Sequence, residues 1–305
     1  MLSRDKVIEI FCIADDFCKE FDSNMKEMTL KADGKKHRNR KASLSDAETM
    51  TILICFHFGS FRCLKHYYLH YVQVHLSDMF PTAVSYNRFV ELESRVSIQM
   101  MFFLQLCCFG ECSGISFIDS TCVPVCNNKR IYRNKVFKGY AERGKSTMGW
   151  FYGFKLHLIC NERGEILNFI LTRGNVDDRD ERVFNRLGDN IIGKLYADKG
   201  YISQGLFDRL FSNDIHIVTG LRSNMKNKLM PLYDKLMLRK RSVIETINDE
   251  LKNVAQLVHS RHRSINNFLM NVLAVIAAYT FFDKKPSINI DYEIEAFDGQ
   301  LTLFN

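Results

Sequence analysis

The hydrophobic period of this chain changes once, near Ile115, and that change limits the possible folds more than any other feature. Before it, apolar residues recur at three and four. Val7, Ile10, Phe11, Ala14, Phe17, Cys18 and Phe21 mark one face of a helix. Ser45 and Glu48 form a capping-box signature ahead of an apolar run that starts at Met50 and stops at Gly59. A third helical stretch covers 64 to 74, Pro81 breaks the chain, and SYNRFVELESRV sets Phe89, Leu92 and Val96 on one side. After Ile115 the period is two. SFID, FYGFKLHLIC and EILNFILT read as strands, and NERG is a turn, so 150 to 172 is a hairpin. A helix near 179 to 187, a strand at 194 to 198, a helix near 205 to 212, a strand at 215 to 221 and a long helix from about Arg241 follow.

Three strands and then alternating helices and strands predict an α/β fold with a mixed sheet. Their order matches a ribonuclease H-like core. The expected division is a helical DNA-binding and assembly region at 1–110, a catalytic domain at 111–285 and a C-terminal extension at 286–305. The short helices around the Pro81 break fit a helix-turn-helix, with Tyr86, Asn87 and Arg88 at the exposed start of a recognition helix. The same pattern fits an ordinary helical bundle.

Charge brings in a class of partner. The net charge is +7, with dense cations at 31–41, 238–241 and 259–263, so a phosphate-rich partner is plausible. The ten cysteines lack the paired spacing of a zinc site and read as reduced, buried small hydrophobes. Glu9, Asp15 and Asp16 interrupt the first residues, so no signal peptide is expected there. The apolar stretch 268–282 contains Asn271 and is shorter than a membrane span. The expectation is a cytoplasmic, nucleoid-associated protein with no membrane partner.

Chemistry enters with three acids. Asp119 is expected to end the first strand, in FIDST, and Asp198 to end a later one, in YADKGY. Strand ends are where sheets of this kind hold ligands. Two carboxylates brought together repel, and a shared cation relieves that repulsion, so the pair implies a metal. Glu245 follows on a helix whose apolar side is Ile244, Ile247, Leu251 and Val254. At 100° per residue, Arg241, Glu245 and Lys252 fall within about 60° of one another. An acid flanked by two cations suits phosphodiester chemistry: the carboxylate completes a metal site and the cations hold phosphates.

In FIDST (117–121), RIYRNKVFKG (130–139), 143–179, ADKGYIS (197–203) and LRKRSVIETINDELKN (238–253), the chain resembles the DDE transposases of bacterial insertion sequences, most closely the insertion-sequence 982 family. The resemblance spans nearly the whole chain. It implies a ribonuclease H-like core in which Asp119, Asp198 and Glu245 bind two Mg²⁺ ions, with Mn²⁺ able to substitute. It also implies double-stranded DNA as partner and a homo-oligomer on that DNA. The related helical signature places Tyr, Arg, Glu and Lys at fixed intervals. Arg241, Glu245 and Lys252 match it, whereas Leu238 stands where the signature has Tyr.

Rival readings are weaker. Asp177, Asp178 and Asp180 precede a helix, where acids cap free amides. GYAERGKS (139–146) fits the phosphate-loop spacing but leads into a strand, so no nucleotide cofactor is expected. His157 shares a strand face with Lys155 and reads as a packed or DNA-facing residue, because hard Mg²⁺ prefers oxygen. Arg261, Arg263 and Arg88 join Arg241 and Lys252 as expected DNA contacts. The expected activity is metal-dependent cleavage at element ends and strand transfer into a target. The alternatives are a ribonuclease H-like nuclease or resolvase without strand transfer, and a DNA-binding protein that has lost catalysis.

Overall fold

The computed structural model describes residues 2–32, 42–59, 61–147, 149–221, 225, 229–258 and 262–288. Two compact units are present: Met1–Cys108 with Glu250–Phe282, and Phe109–Asp249 with the segment from Asp283. The first crossing falls close to the change of hydrophobic period. The other two fall on either side of 250–282, inside or at the edge of the region expected to be catalytic. Helix Ile265–Thr280 is buried almost continuously from Phe268 to Tyr279, and a helix apolar all round belongs in a core. Here that core is the helical unit's own. No helix among the described residues is long and apolar enough to cross a membrane.

In the helical unit, α1 (Arg4–Ala32) buries Val7, Ile10, Ala14, Phe17 and Cys18, as their spacing requires. Phe17 meets the edge of Phe103 at 5.4 Å, and each fully buried side chain of this size contributes roughly 1.5–3 kcal/mol. Helix α2 (Asp46–Cys55) starts with the expected capping box: Ser45 Oγ accepts from Glu48 N at 3.1 Å, and Ser45 N donates to Glu48 Oε2 at 2.7 Å. A helical stretch from Leu64 to His75, as expected, and helices α3 (Tyr86–Arg95) and α4 (Ser97–Phe103) follow. Ser85 caps α3, and Phe89, Leu92 and Val96 are buried. At its start Asn87 and Arg88 are exposed, while Tyr86 is half-buried.

The second unit contains β1 (Ile115–Cys126), β2 (Glu142–Ser146), β3 (Gly149–Asn161), β4 (Ile166–Arg173), α5 (Glu181–Leu187), β5 (Gly193–Ala197), α6 (Gln204–Phe211), β6 (Ile215–Thr219), α7 (Leu232–Lys240) and α8 (Ser242–Asp249). The sheet order is β2-β3-β1-β5-β6, with β4 also on β3. Strand β1 runs antiparallel to β3 and parallel to β5, and β5 runs parallel to β6. This is the mixed, ribonuclease H-like α/β sheet that the element order predicts. The β3–β4 turn is the expected one. Asn161 Oδ1 accepts from the amides of Arg163 and Glu165, and Gly164 supplies the positive φ of 74° that the turn needs.

One sheet face packs Ile118, Ile159, Leu195, Ala197 and Ile215 against Val183, Phe184 and Leu187 of α5 and Leu206 and Leu210 of α6. On β1, alternation turns Phe117 to the opposite face, where it stacks on Tyr196 at 5.5 Å. Buried Asp234 ties α7 to β5 by accepting from Lys194 Nζ at 2.6 Å and Tyr196 OH at 2.9 Å.

Four expectations are corrected. Asp119 does not end a strand, since β1 continues to Cys126. What ends beside it is the parallel pairing: β5 stops at Ala197, leaving only antiparallel β3 next to β1. The long helix expected from about Arg241 begins at Ser242 as α8, but a further helix that the pattern does not predict, α7, leads into it across Arg241. The helical ridge runs on from α8 as a π turn, Glu250–Val254. That wider turn shifts the phase, so Val254 is exposed and Ala255 is buried in its place. Of the ten cysteines only Cys18, Cys55, Cys108 and Cys160 are buried, although all ten are free.

Candidate active site

The site is built where β1 outruns β5. The last β1–β5 pair is Phe117 with Tyr196, and Asp119 and Asp198 each stand two residues further along their own strand direction. Asp198 is exposed and precedes the turn Lys199–Tyr201, yet its side chain makes no cap hydrogen bond. The common structural use of an aspartate after a strand is therefore absent here.

Asp119 lies largely buried, with 24% of its side chain exposed. Its Oδ2 accepts from Asn248 Nδ2 at 3.0 Å. Its Oδ1 lies 3.7 Å from the Arg241 guanidinium. Arg241 also donates to Glu245 Oε1 at 2.5 Å, so the two acids share one cation. Burial pushes the Asp119 carboxyl up to about 6; Arg241 and the Ser120 amide oppose this, and Glu245 adds to it. The Arg241 side chain is only 16% exposed, and its buried Nη1 has no hydrogen-bond partner. Burial and the neighbouring Glu245 both disfavour the charged form of Asp119, and further positive charge nearby would favour it.

The donors suit a hard divalent ion, which takes oxygen ligands and favours carboxylates. Among the described residues, however, no three His, Cys, Asp or Glu side chains are gathered closely enough to hold an ion. Asp119, Glu245 and Arg241 meet, while Asp198 follows the end of β5, two residues past the last β1–β5 pair, Phe117–Tyr196. The remaining expected DNA contacts are not part of this unit. Lys252, on the π turn, and exposed Arg263 and Arg88 belong to the helical unit, where Arg88 is paired with Glu91 at 2.5 Å. Arg261 and most of the basic run 31–41 lie outside the described residues.

The rival acids divide. Asp180 caps α5 through the Arg182 amide and is held down to about 2 by Arg182. Asp177 accepts from the Arg179 amide and clamps its guanidinium, which holds it well below the usual carboxylate range. Asp178 does not cap. It pairs with Lys155 Nζ at 3.0 Å and lies 3.9 Å from His157 Nδ1. His157 is fully buried, bonded through Nε2 to Thr172 Oγ1 at 2.9 Å, and burial pushes its pKa down. It is a packed histidine. Gly144 and Lys145 lie in strand β2, paired with β3, not before a helix, so the phosphate-loop context is missing.

Two residues at this site went unread in the sequence. Asn248 stands three positions after Glu245, on the neighbouring ridge of the same helix, and its spacing from an acid was the available signal. Tyr201 has a buried hydroxyl beside Ser120, and burial together with the charges of Asp178 and Asp119 raises its pKa well above the ordinary value.

A family model described as a transposase DDE domain matches residues 109–265, just over half of the chain. No curated protein matches the chain at a significant level. Among solved structures, a piggyBac transposase synaptic complex with hairpin DNA is similar at 12% identity, covering 92% of this chain and 72% of that one, with a TM-score of 0.47. The Mos1 strand transfer complex is similar at 10% identity, covering 86% and 84%, with a TM-score of 0.22.

Proposed function

The chain belongs to the family of transposases with a DDE domain, and from that premise we propose that it cleaves double-stranded DNA at the ends of an insertion sequence and joins those ends to a target. The observation that carries the reading is the Asp119–Arg241–Glu245 arrangement, with Asn248 on the other oxygen of Asp119 and uncapped Asp198 just past the end of β5. Asp119, Asp198 and Glu245 would hold Mg²⁺, or Mn²⁺ in its place. Two such ions, when bound, supply the charge that activates a water or DNA 3′-hydroxyl and stabilises the leaving oxygen.

The chain's own groups do the positioning. Asn248 occupies Asp119 Oδ2 and leaves Oδ1 turned toward the cation. Arg241, released from the acids by stronger positive charge, is placed to hold a DNA phosphate, because guanidinium matches phosphate in a bidentate way. Lys252, Arg263, Arg261 and Arg88 are proposed as further phosphate contacts. A homo-oligomer bound to the element ends, in the bacterial cytoplasm and nucleoid, completes the proposal, together with membership of the insertion-sequence 982 family.

The test uses a labelled duplex carrying the element end. Asp119→Asn, Asp198→Asn and Glu245→Gln should each abolish cleavage in Mg²⁺ while keeping duplex binding in Ca²⁺, because the amide retains shape and loses the charge that holds the ion. Cleavage by Glu245→Gln at the parent rate would remove Glu245 from the site. Joining of the cut end to target DNA separates a transposase from a nuclease or resolvase that only cuts.

A further inference from the structure

Trp150 is the only tryptophan in the chain, and it is 64% exposed. An indole this exposed is unusual in a folded protein, because its large apolar face normally finds cover. It lines a cavity of about 430 Å³ in the second unit with Arg143, Lys145, Asn175 and Gly200, and with the ion pairs Asp177–Arg179 and Asp178–Lys155, whose charges cancel and leave Arg143 and Lys145 as the surplus. That volume is within the range of small-ligand sites. Lys145 is the direct cross-strand partner of Trp150, and its ammonium lies 6.0 Å from the indole centroid. Arg143, two residues away on the same strand, projects to the same face. Among the described residues neither Arg143 nor Lys145 is paired with an acid, and both are exposed.

The surroundings are strongly positive. From Asn127 to Trp150 the sequence has seven Lys and Arg against one acid, Glu142. Asn128 Nδ2 donates to the Trp150 carbonyl at 2.6 Å, fixing the basic turn 128–133 beside the strand. An exposed π-face with unpaired cations next to it, in a cavity with a polar amide, has the composition of a single-stranded nucleic-acid subsite: the ring stacks a base and the cations take the flanking phosphates. Gly200 also lines the cavity, and a Cβ added there would meet nothing within 4 Å. It stands two residues after Asp198, so the cavity adjoins the loop that carries a catalytic acid.

We propose that this cavity receives an unpaired nucleobase of the DNA substrate, stacked on Trp150, with its flanking phosphates on Arg143 and Lys145. The proposal rests on the reading of the chain as a DNA-processing enzyme and adds to it a preference for DNA with an unpaired nucleotide. Duplex bases are already stacked and present only edges and phosphates, so a blunt duplex cannot use the ring.

Trp150 is its own reporter. Intrinsic fluorescence is followed in the full-length protein, with EDTA present to prevent turnover, while three labelled duplexes are titrated: one blunt, one with a short single-stranded overhang, and one whose overhang is abasic. The overhang should quench Trp150 and bind more tightly than the blunt duplex; the abasic overhang should do neither. Trp150→Leu should weaken overhang binding by roughly 5- to 150-fold, the value of one base–aromatic stack, and Trp150→Phe should restore part of it. Gly200→Leu, whose backbone is not in the positive-φ region, keeps the reporter and should abolish the quench by filling the cavity. Equal quenching by the abasic or blunt duplex would overturn the proposal and leave the transposase reading standing. Absence of binding to any of the three duplexes would overturn both.

Discussion

Replacing Asn248 by Ala should raise the metal requirement of cleavage far more than it lowers the stability of the fold. In the structure Asn248 is buried, and its Nδ2 donates to Asp119 Oδ2 at 3.0 Å. A hydrogen bond to a charged group contributes about 1.5–3 kcal/mol. Against that, Asn248 Oδ1 is buried without a partner, so the substitution also removes one unsatisfied acceptor, which costs about 1–3 kcal/mol in place. The two nearly offset, and the net loss of stability should be about 1 kcal/mol or less. No such offset exists for the ion. Asp119 would be free to rotate and would be easier to protonate, and groups that orient a metal ligand typically change affinity by roughly 10- to 100-fold. Cleavage of an end-containing duplex across a Mg²⁺ series, alongside thermal melting with and without Ca²⁺, measures both effects. The half-activating Mg²⁺ concentration should rise by that factor, with the plateau rate less affected. An unchanged midpoint with a lower plateau, or a loss of rate that follows the fraction unfolded, would refute the positioning role.

Three further outcomes are expected. Glu93 is 2% exposed, accepts from Asn267 Nδ2 at 3.2 Å, and is pushed by burial from its ordinary 4.5 up to about 8. A raised carboxyl stabilises the fold below about 4.5 and loses that contribution as pH rises through about 8, so Glu93→Gln should gain on the parent by on the order of 3 kcal/mol between pH 5 and 9; melting curves that stay parallel across that range would contradict it. Asp178→Asn should destabilise more than Asp180→Asn, because the first leaves Lys155 without its ion-pair partner in a site where that side chain is only 15% exposed, at about 1–3 kcal/mol, and the second keeps an N-cap acceptor, asparagine capping about as well as aspartate. DNA affinity should fall steeply with salt if cations displace the counterions of the duplex, and a flat response in filter binding would mean that the basic runs face elsewhere.

The sheet was legible because its chemistry is local. Alternation in 150–172, the NERG turn and the apolar strands at 194–198 and 215–221 each depend on residues a few positions apart, and the structure has them within one or two residues. The capping box at Ser45 was legible for the same reason. What escaped depends on partners distant in the chain. Strand β2 exists because β3 offers an open edge past the end of β4, and its sequence ERGKS has no strand signal of its own. Helix α7 has a weak apolar face and is anchored by buried Asp234 on Lys194 and Tyr196. A polar residue buried for a distant partner looks like a surface residue when read alone.

The active site shows the same division. Asp119, Asp198 and Glu245 could be picked out as types in context, but the reason Asp119 matters is a mismatch of strand lengths. β1 has twelve residues and β5 has five, so beyond Phe117 the edge of β1 toward β5 is open. An interior strand position would ordinarily bury an apolar side chain, since both neighbours wall it in. Here one wall ends, a helix end brings Arg241 and Asn248 into the gap, and an ionisable group becomes tolerable at a depth that still raises its pKa. The same depth makes the group useful: a carboxyl partly stripped of water gains more from a cation than an exposed one does. Arg241 supplies part of that charge and is reached from the break between α7 and α8. Its reach to Glu245 is the ordinary i,i+4 spacing of a helix face, so the arginine beside the third acid was legible, and only its approach to Asp119, set by where the helix meets the sheet, was not.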